Sequence, residues 1–382
     1  MTGRTLILGG GFGGIAAAVE LRRLRPDHEV VLVDRTPAFA MGLRKLWELV
    51  GSATASEGAR ERQLLARHGI EFVEAEITSI DAAGRSAKTA AGLLVADHLV
   101  VALGTVTRPD VVPGLQEYGH DVWAFAGVAG AARALSEFDG GHVCILVAGA
   151  PYPCPPAPYE CALHIDEYLR GRGVRDRSDV CVATLQPTLM PNAGRAGSDW
   201  MAGQLAERGI VTRVGAKVRE VEARRVVFTE GGEQPFDLLI AVPPHRPPGV
   251  LTDSGLAAEG GWIQVDPATL ATSFEHVFAV GDVTSIPLAN GLPLPKAGVM
   301  AELQGLRVAR GIAAELSGTK QPAPFDGRGY CPIELGGHAG ARVTGDWYAT
   351  PEPIITIDDG GMGSADDKRQ FEREHLAHWF GN

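Results

Sequence analysis

Cysteine is scarce: five in 382 residues, too few for the disulfide framework of a small secreted scaffold. A pair among them would serve redox chemistry sooner than architecture. Positive charge is short as well. Lys and Arg number 35 against 46 Asp and Glu, a formal net charge of −11 at pH 7, and nucleic-acid binding, which needs a basic face, is excluded. No apolar run approaches the roughly 20 residues of a membrane span, so membrane contact is at most peripheral. Met1 leads within four residues into the strand-like TLILGG, which leaves no room for a signal peptide. The expected location is cytoplasmic, at most peripheral on the inner membrane face. No spacing of His, Cys and acidic residues reads as a metal site. Hydrophobic residues at 45% and charged residues at 21% are ordinary for a folded chain, and this length holds two or three domains.

What is present begins at the N-terminus. TLILGGGFGGIAAAVELRRL reads as an apolar strand, then Gly9-x-Gly11-x-x-Gly14 with Phe12 and Gly13 inside the turn, then an alanine-rich helix. The glycines permit a tight turn, close backbone approach to a pyrophosphate and close packing of helix on strand. The helix start offers free N–H groups and a positive dipole end to phosphates. A second strand, EVVLVD, ends in Asp34 and is followed by Arg35. Asp34 lies 20 residues past Gly14, where a carboxylate can accept hydrogen bonds from an adenosine ribose.

The far end of the chain answers which dinucleotide. SFEHVFAVGDVTSI runs as a strand into Gly281-Asp282, and LPKAGVMAELQGLRVARGIAAEL follows as a long helix. An N-terminal dinucleotide fold completed by a late strand and Gly-Asp resembles the flavoproteins with two dinucleotide-binding domains. The resemblance implies an α/β fold of two Rossmann-like domains plus a small C-terminal domain, and FAD as cofactor. It places Asp282 at the ribityl and phosphate region and the helix after Lys296-Ala297 against the flavin ring. VALGT at 101–105 is similar to the family's strand end near the cofactor, with Ala102 and Gly104 beside it. Residues 1–110 and 242–320 are then one split FAD domain, 111–241 a second dinucleotide-like domain, and 321–382 a C-terminal cap.

In such flavoproteins the second domain takes a nicotinamide cofactor through a second glycine motif. The strand HVCILVAGA is there, but the motif is missing: the chain reads Gly149-Ala150-Pro151-Tyr152-Pro153-Cys154. Proline removes donors, and side chains block the approach that glycine permits. A thiol stands where a nicotinamide would dock.

CPPAPYE before a helix, with AVPPHRPPG and GWIQVDPATLATSFEHVFAVGD downstream, resembles the flavoprotein of flavocytochrome c sulfide dehydrogenase and its relatives, the sulfide:quinone oxidoreductases. The resemblance implies a redox-active disulfide between the corner cysteine, Cys154, and a cysteine near the C-terminal end. Cys331 in GYCPIELGG is that candidate, read as lying in a Gly-flanked loop. Glu160 maps to a proton-transfer residue, and Lys296 to the cation near the flavin's pyrimidine end. HS⁻ would attack at Cys154, leaving the thiolate on Cys331 to face the flavin. The substrate is a small sulfur compound, with cytochrome c or a quinone as electron acceptor.

The other cysteines have plainer readings. Cys144 and Cys181 sit inside strand-like segments as small buried hydrophobes. Cys161 is seven residues from Cys154, about 10 Å along a helix, beyond the roughly 7 Å that a disulfide spans. The relatives that tether FAD covalently use a cysteine where this chain has Met41, so non-covalent FAD is expected. No C-x-x-C-H haem motif is present, and residues 105–143 lack the third cysteine of many sulfide:quinone oxidoreductases. Phe371, Leu376, Trp379 and Phe380 form an apolar stripe at helical spacing in the tail, expected to pack back onto the protein. Two other classes stand beside the sulfide reading: a type II NADH dehydrogenase and a non-catalytic flavin electron-transfer subunit. A homo-oligomer is compatible with any of the three.

Overall fold

The computed structural model describes residues 3–362 and 366–381. The elements that position the site are, in chain order, β1 (Arg4–Leu8), α1 (Phe12–Leu24), β2 (Glu29–Asp34), α2 (Arg44–Leu49), β3 (Glu71–Glu74), β4 (His98–Val101) and β5 (His120–Asp121). They continue as β6 (Gly141–Val147), α3 (Ala157–Gly171), β7 (Ser178–Thr184), β8 (Val211–Arg213), β9 (Leu238–Val242) and β10 (Val277–Ala279). The chain finishes with α4 (Gly298–Ser317), β11 (Arg328–Gly336), β12 (Ala339–Asp346), β13 (Ile354–Met362) and α5 (Asp366–Phe380).

Near-continuous apolar runs such as TLIL and VCILV suit strands buried on both faces, the signature of parallel sheets covered by helices. Two such sheets form. The first has the order β10-β4-β1-β2-β3, all parallel, with Leu6 level with Val31 and Leu99. Its outer strand β10 returns from nearly 180 positions along the chain to pair Phe278 with Val100. The second sheet has the order β5-β9-β6-β7-β8, also parallel, and pairs Cys144 with Cys181. Both thiols are buried as packing residues.

Helices α1 and α4 approach each other through glycine. A Cβ on Gly305 would stand 2.2 Å from the carbonyl oxygen of Gly13, so only glycine fits there. That close approach brings the start of α4 to the glycine turn after β1.

The C-terminal segment corrects one sequence expectation. Cys331 lies in a strand: β11 pairs antiparallel with β12 from Arg328↔Asp346 through Cys331↔Val343, and β13 closes a three-stranded sheet. Gly329 and Gly336 lie within this strand, and the pairing shifts register only between Glu334 and Gly336, beyond Cys331. Pro332 is tolerated inside it because β11 is a sheet edge, where a missing donor breaks no inner ladder. The tail helix α5 packs back onto the first sheet's layer. Leu376, Trp379 and Phe380 are buried, with the Trp379 ring 5.5 Å from Phe12 and the Phe380 ring 5.8 Å from Phe39. No helix among the described residues is long and apolar enough to cross a membrane.

Candidate active site

The glycine turn is built as a dinucleotide cradle. Gly9 has φ +105, and a Cβ there would meet the Ala102 carbonyl at 2.3 Å; one on Gly14 would meet the Gly9 carbonyl at 1.9 Å. Gly11, by contrast, faces open space, the side from which a pyrophosphate can reach the backbone. Phe12 opens α1, and its ring turns into the tail helix. Asp34 accepts the Gly10 N–H at 2.7 Å and the Thr36 hydroxyl at 2.8 Å. Arg35 is exposed just beyond it. Arg62, absent from the sequence reading, donates to the Gly10 carbonyl at 2.9 Å and lies 3.6 Å from Asp34.

Across the cleft, Gly281 donates its N–H to Gln304 Oε1 at 2.6 Å, and Gly104 takes φ +62 over open space. Asp282, Lys296 and Ala297 line a cavity at the start of α4. Lys296 is buried; its ammonium donates to the carbonyls of Asp282 and Thr284 at 2.7 and 2.9 Å and sits 3.9 Å over the Trp262 ring. Burial pulls Lys296 down to about 8 against the opposing charge of Asp282. Burial pushes the Asp282 carboxyl up, with Lys296 and Lys45 acting the other way. Lys45, on α2, is likewise pulled down to about 8 by burial, within the fields of Asp121, Cys154 and Asp282. An open approach beside Gly11, a half-buried acid, and a buried and a half-buried lysine fit FAD. Asp282→Ala should weaken FAD retention about 10- to 100-fold, the loss of one hydrogen bond to a charged group. Equilibrium dialysis of released flavin measures it.

The second domain carries no comparable cradle. A Cβ on Gly149 would lie 2.4 Å from Pro244 Cα, and Tyr152 is buried against the Trp123 ring. The chain instead makes the proline corner ahead of α3. Cys154 sits there at φ +60, a conformation that costs a side-chain-bearing residue about 1–3 kcal/mol. Its N–H donates to the Lys296 carbonyl at 2.6 Å, and its carbonyl accepts the Ala157 N–H at 2.9 Å. The corner is thereby pinned to the segment that enters α4.

The corner meets β11. Cys154 and Cys331 are free, half-buried thiols close enough for each to shift the other's protonation, and Cys331 Sγ donates to the Pro332 carbonyl at 3.7 Å. The neighbouring Cys331 thiol lowers the Cys154 pKa against the opposing effect of burial, helped by Lys368 and the Ala157 amide. The same pairing, then burial, drives Cys331 far above its ordinary value. Of the two reduced thiols, Cys154 is therefore the one whose charged form its surroundings favour.

Beneath the pair lies a buried ionic network. Glu160 is fully buried; its Oε1 accepts the Glu334 N–H at 2.7 Å and the Lys368 ammonium, while Oε2 has no partner among the described residues. Glu334 accepts from Trp47 Nε1 at 2.8 Å, faces His164 at 3.2 Å and stands 3.9 Å from Lys368. Burial would raise Glu334, yet the His164 hydrogen bond and the Lys368 charge hold it at about 2. Burial would lower Lys368, but Glu160 and Glu334 hold it above its ordinary value. Lys368 escaped the sequence reading because its helix was read for apolar residues alone. Glu334 stood three residues from Cys331 within a quoted segment, and alternation along a strand was its only signal. An apolar pocket opens beside Cys331, lined by Pro155, Met300, Tyr330, Val343 and Trp347.

Residues 3–305 match the family described as pyridine nucleotide-disulphide oxidoreductase. The chain belongs to that family. Over 384 residues it is 26% identical to the sulfide-quinone reductase of Aquifex aeolicus, covering 93% of this chain and 86% of that one. It is 24% identical over 376 residues to the mitochondrial sulfide:quinone oxidoreductase of Mus musculus, 92% and 80% of the two chains. A type II NADH:quinone oxidoreductase of Staphylococcus aureus is 23% identical over 406 residues, 96% and 98%. The X-ray structure of the Aquifex aeolicus sulfide:quinone oxidoreductase superposes with a TM-score of 0.88 at 25% identity, covering 100% of this chain and 92% of that one. This member of the family is an FAD-dependent oxidoreductase with two Rossmann-like domains, similar to the sulfide:quinone oxidoreductases.

Proposed function

We propose that this flavoprotein oxidises sulfide through a Cys154–Cys331 disulfide and passes the electrons through FAD to a quinone. The observation that carries the reading is the pair of free thiols, Cys154 at the proline corner and Cys331 on the strand it meets, with Cys154 pinned through the Lys296 carbonyl to the start of α4. The quinone comes from the names of the similar enzymes. Neutral reactants such as a quinone ring or a sulfur chain suit the apolar pocket beside Cys331.

A disulfide breaks toward the sulfur whose thiol has the lower pKa, since that sulfur leaves more readily. HS⁻ thus attacks Cys331; the new S–S bond makes a persulfide there, and the Cys154 thiolate departs, held by Lys368 and the Ala157 amide. A second HS⁻ takes the outer sulfur as HSS⁻ and leaves Cys331 as a thiol. FAD, when bound, supplies the two-electron acceptor that lets the pair close again. Closure releases the Cys331 proton, and Glu160 takes it on Oε2, the buried oxygen with no partner among the described residues. The cofactor is held without a covalent bond, in a domain split between 1–110 and 242–320.

Anaerobic mixing tests this directly. Sulfide should bleach the flavin within the turnover time, NADH should not, and a soluble quinone should restore the colour faster than cytochrome c. Bleaching by NADH alone would assign the protein to the NADH dehydrogenases instead. Acid precipitation should leave all the flavin in the supernatant; colour kept by the pellet would contradict non-covalent binding.

A further inference from the structure

We propose that His98, His276 and Glu315 form a binding site for one late first-row divalent cation, zinc being the best fit. His98 opens β4, His276 immediately precedes β10, and Glu315 lies in the last turn of α4. All strands of this sheet run parallel, so the three meet at the end opposite the glycine turn and Asp282. Glu315 Oε1 stands 3.1 Å from His98 Nε2 and 3.1 Å from His276 Nδ1, and the three ligand atoms lie within 4.8 Å of one another. A tetrahedral zinc with bonds near 2.0 Å needs ligand-to-ligand edges of about 3.3 Å. Small side-chain adjustments close the set.

The surroundings favour coordination over a simple hydrogen-bonded cluster. His276 Nε2 faces the Glu275 carboxylate at 3.5 Å, the outer partner that fixes the tautomer of a metal-bound imidazole. His98 is buried. Its Nδ1 has no partner among the described residues, so Nδ1 can carry the proton while Nε2 presents its lone pair. His276 and Glu315 are part-exposed, leaving a path for the ion and room for a water as fourth ligand. Two imidazoles and a carboxylate suit zinc, nickel or copper over magnesium or calcium. The ion would clamp β4, β10 and α4 together, which are far apart in the chain. That separation is why no ligand spacing announces the site in the sequence.

The test uses the oxidised holoenzyme, so that the Cys154 and Cys331 thiols do not compete for metal. Equilibrium dialysis against zinc chloride followed by metal analysis should find one equivalent bound, and zinc should raise the temperature at which flavin is released. His276→Ala and Glu315→Gln should each weaken zinc binding at least about tenfold and abolish the thermal shift, with flavin content and sulfide turnover in the absence of zinc unchanged. Failure of the wild type to retain zinc, or equal retention by both variants, would overturn the proposal. Neither result bears on the sulfide reading, because the site lies at the far end of the sheet from the cysteine pair.

Discussion

Serine in place of either Cys154 or Cys331 should cut the rate of flavin reduction by sulfide at least about a thousandfold, as expected of residues that act as a unit. The two losses should not add, since either substitution already removes the disulfide that accepts the attack. Alkylation of the reduced protein separates the roles. Cys154, with its lowered pKa, should react with iodoacetamide at a lower pH than Cys331, whose pKa is raised. Cys144→Ser and Cys181→Ser are the controls. Both lie in β-strands of the second sheet and should keep turnover, losing only some stability to a buried hydroxyl. If both Cys154→Ser and Cys331→Ser bleach with sulfide at the wild-type rate, the sulfide mechanism fails.

Lys368→Met should be the most damaging change away from the cysteines. It strips the cation from between Glu160 and Glu334, both buried, and breaking a buried pair by removing one partner costs about 3–5 kcal/mol. The pH dependence follows from the shifts. Glu334, held at about 2 against an ordinary 4.5, contributes stability that is fully present above pH 4.5 and lost as pH falls toward 2. Lys368, held above its ordinary 10.5, contributes stability that is present below pH 10.5 and fades only above it. The wild-type network is therefore intact across the neutral range. Without Lys368 the Glu334 pKa should rise, so the variant should start less stable at neutral pH and lose less further stability between pH 4.5 and 2. The Cys154 alkylation pKa should rise as well, because Lys368 favours the thiolate. Lys368→Arg keeps the charge and should restore most of that alkylation pKa. A merely structural lysine would leave the alkylation pKa where it was.

Much of this protein could be read along the chain, for a physical reason. A dinucleotide turn is local: strand, glycines, helix start and acid all fall between Thr5 and Asp34, and their spacing encodes the geometry. The proline corner was equally local, since proline dictates where α3 can begin. Helical spacing alone showed the apolar stripe that α5 buries. Local pattern misled at Cys331, where flanking glycines suggested a loop and cross-strand pairing with β12 made a strand.

What the tertiary structure alone decided is everything that depends on one segment's field at another. In the sequence only the resemblance and the helix start after the proline corner tell Cys154 from Cys331. Folding set Lys368 and the Ala157 amide beside the pair and favoured the charged form of Cys154. Glu160, Glu334 and Lys368 are ordinary charged residues in the sequence, spread over more than 200 positions. Burial in one place removes the water that would screen them, and only then do their charges set one another's protonation. His98, His276 and Glu315 converge for the same reason: parallel strands gather their starting residues at one edge, wherever in the chain those strands arise.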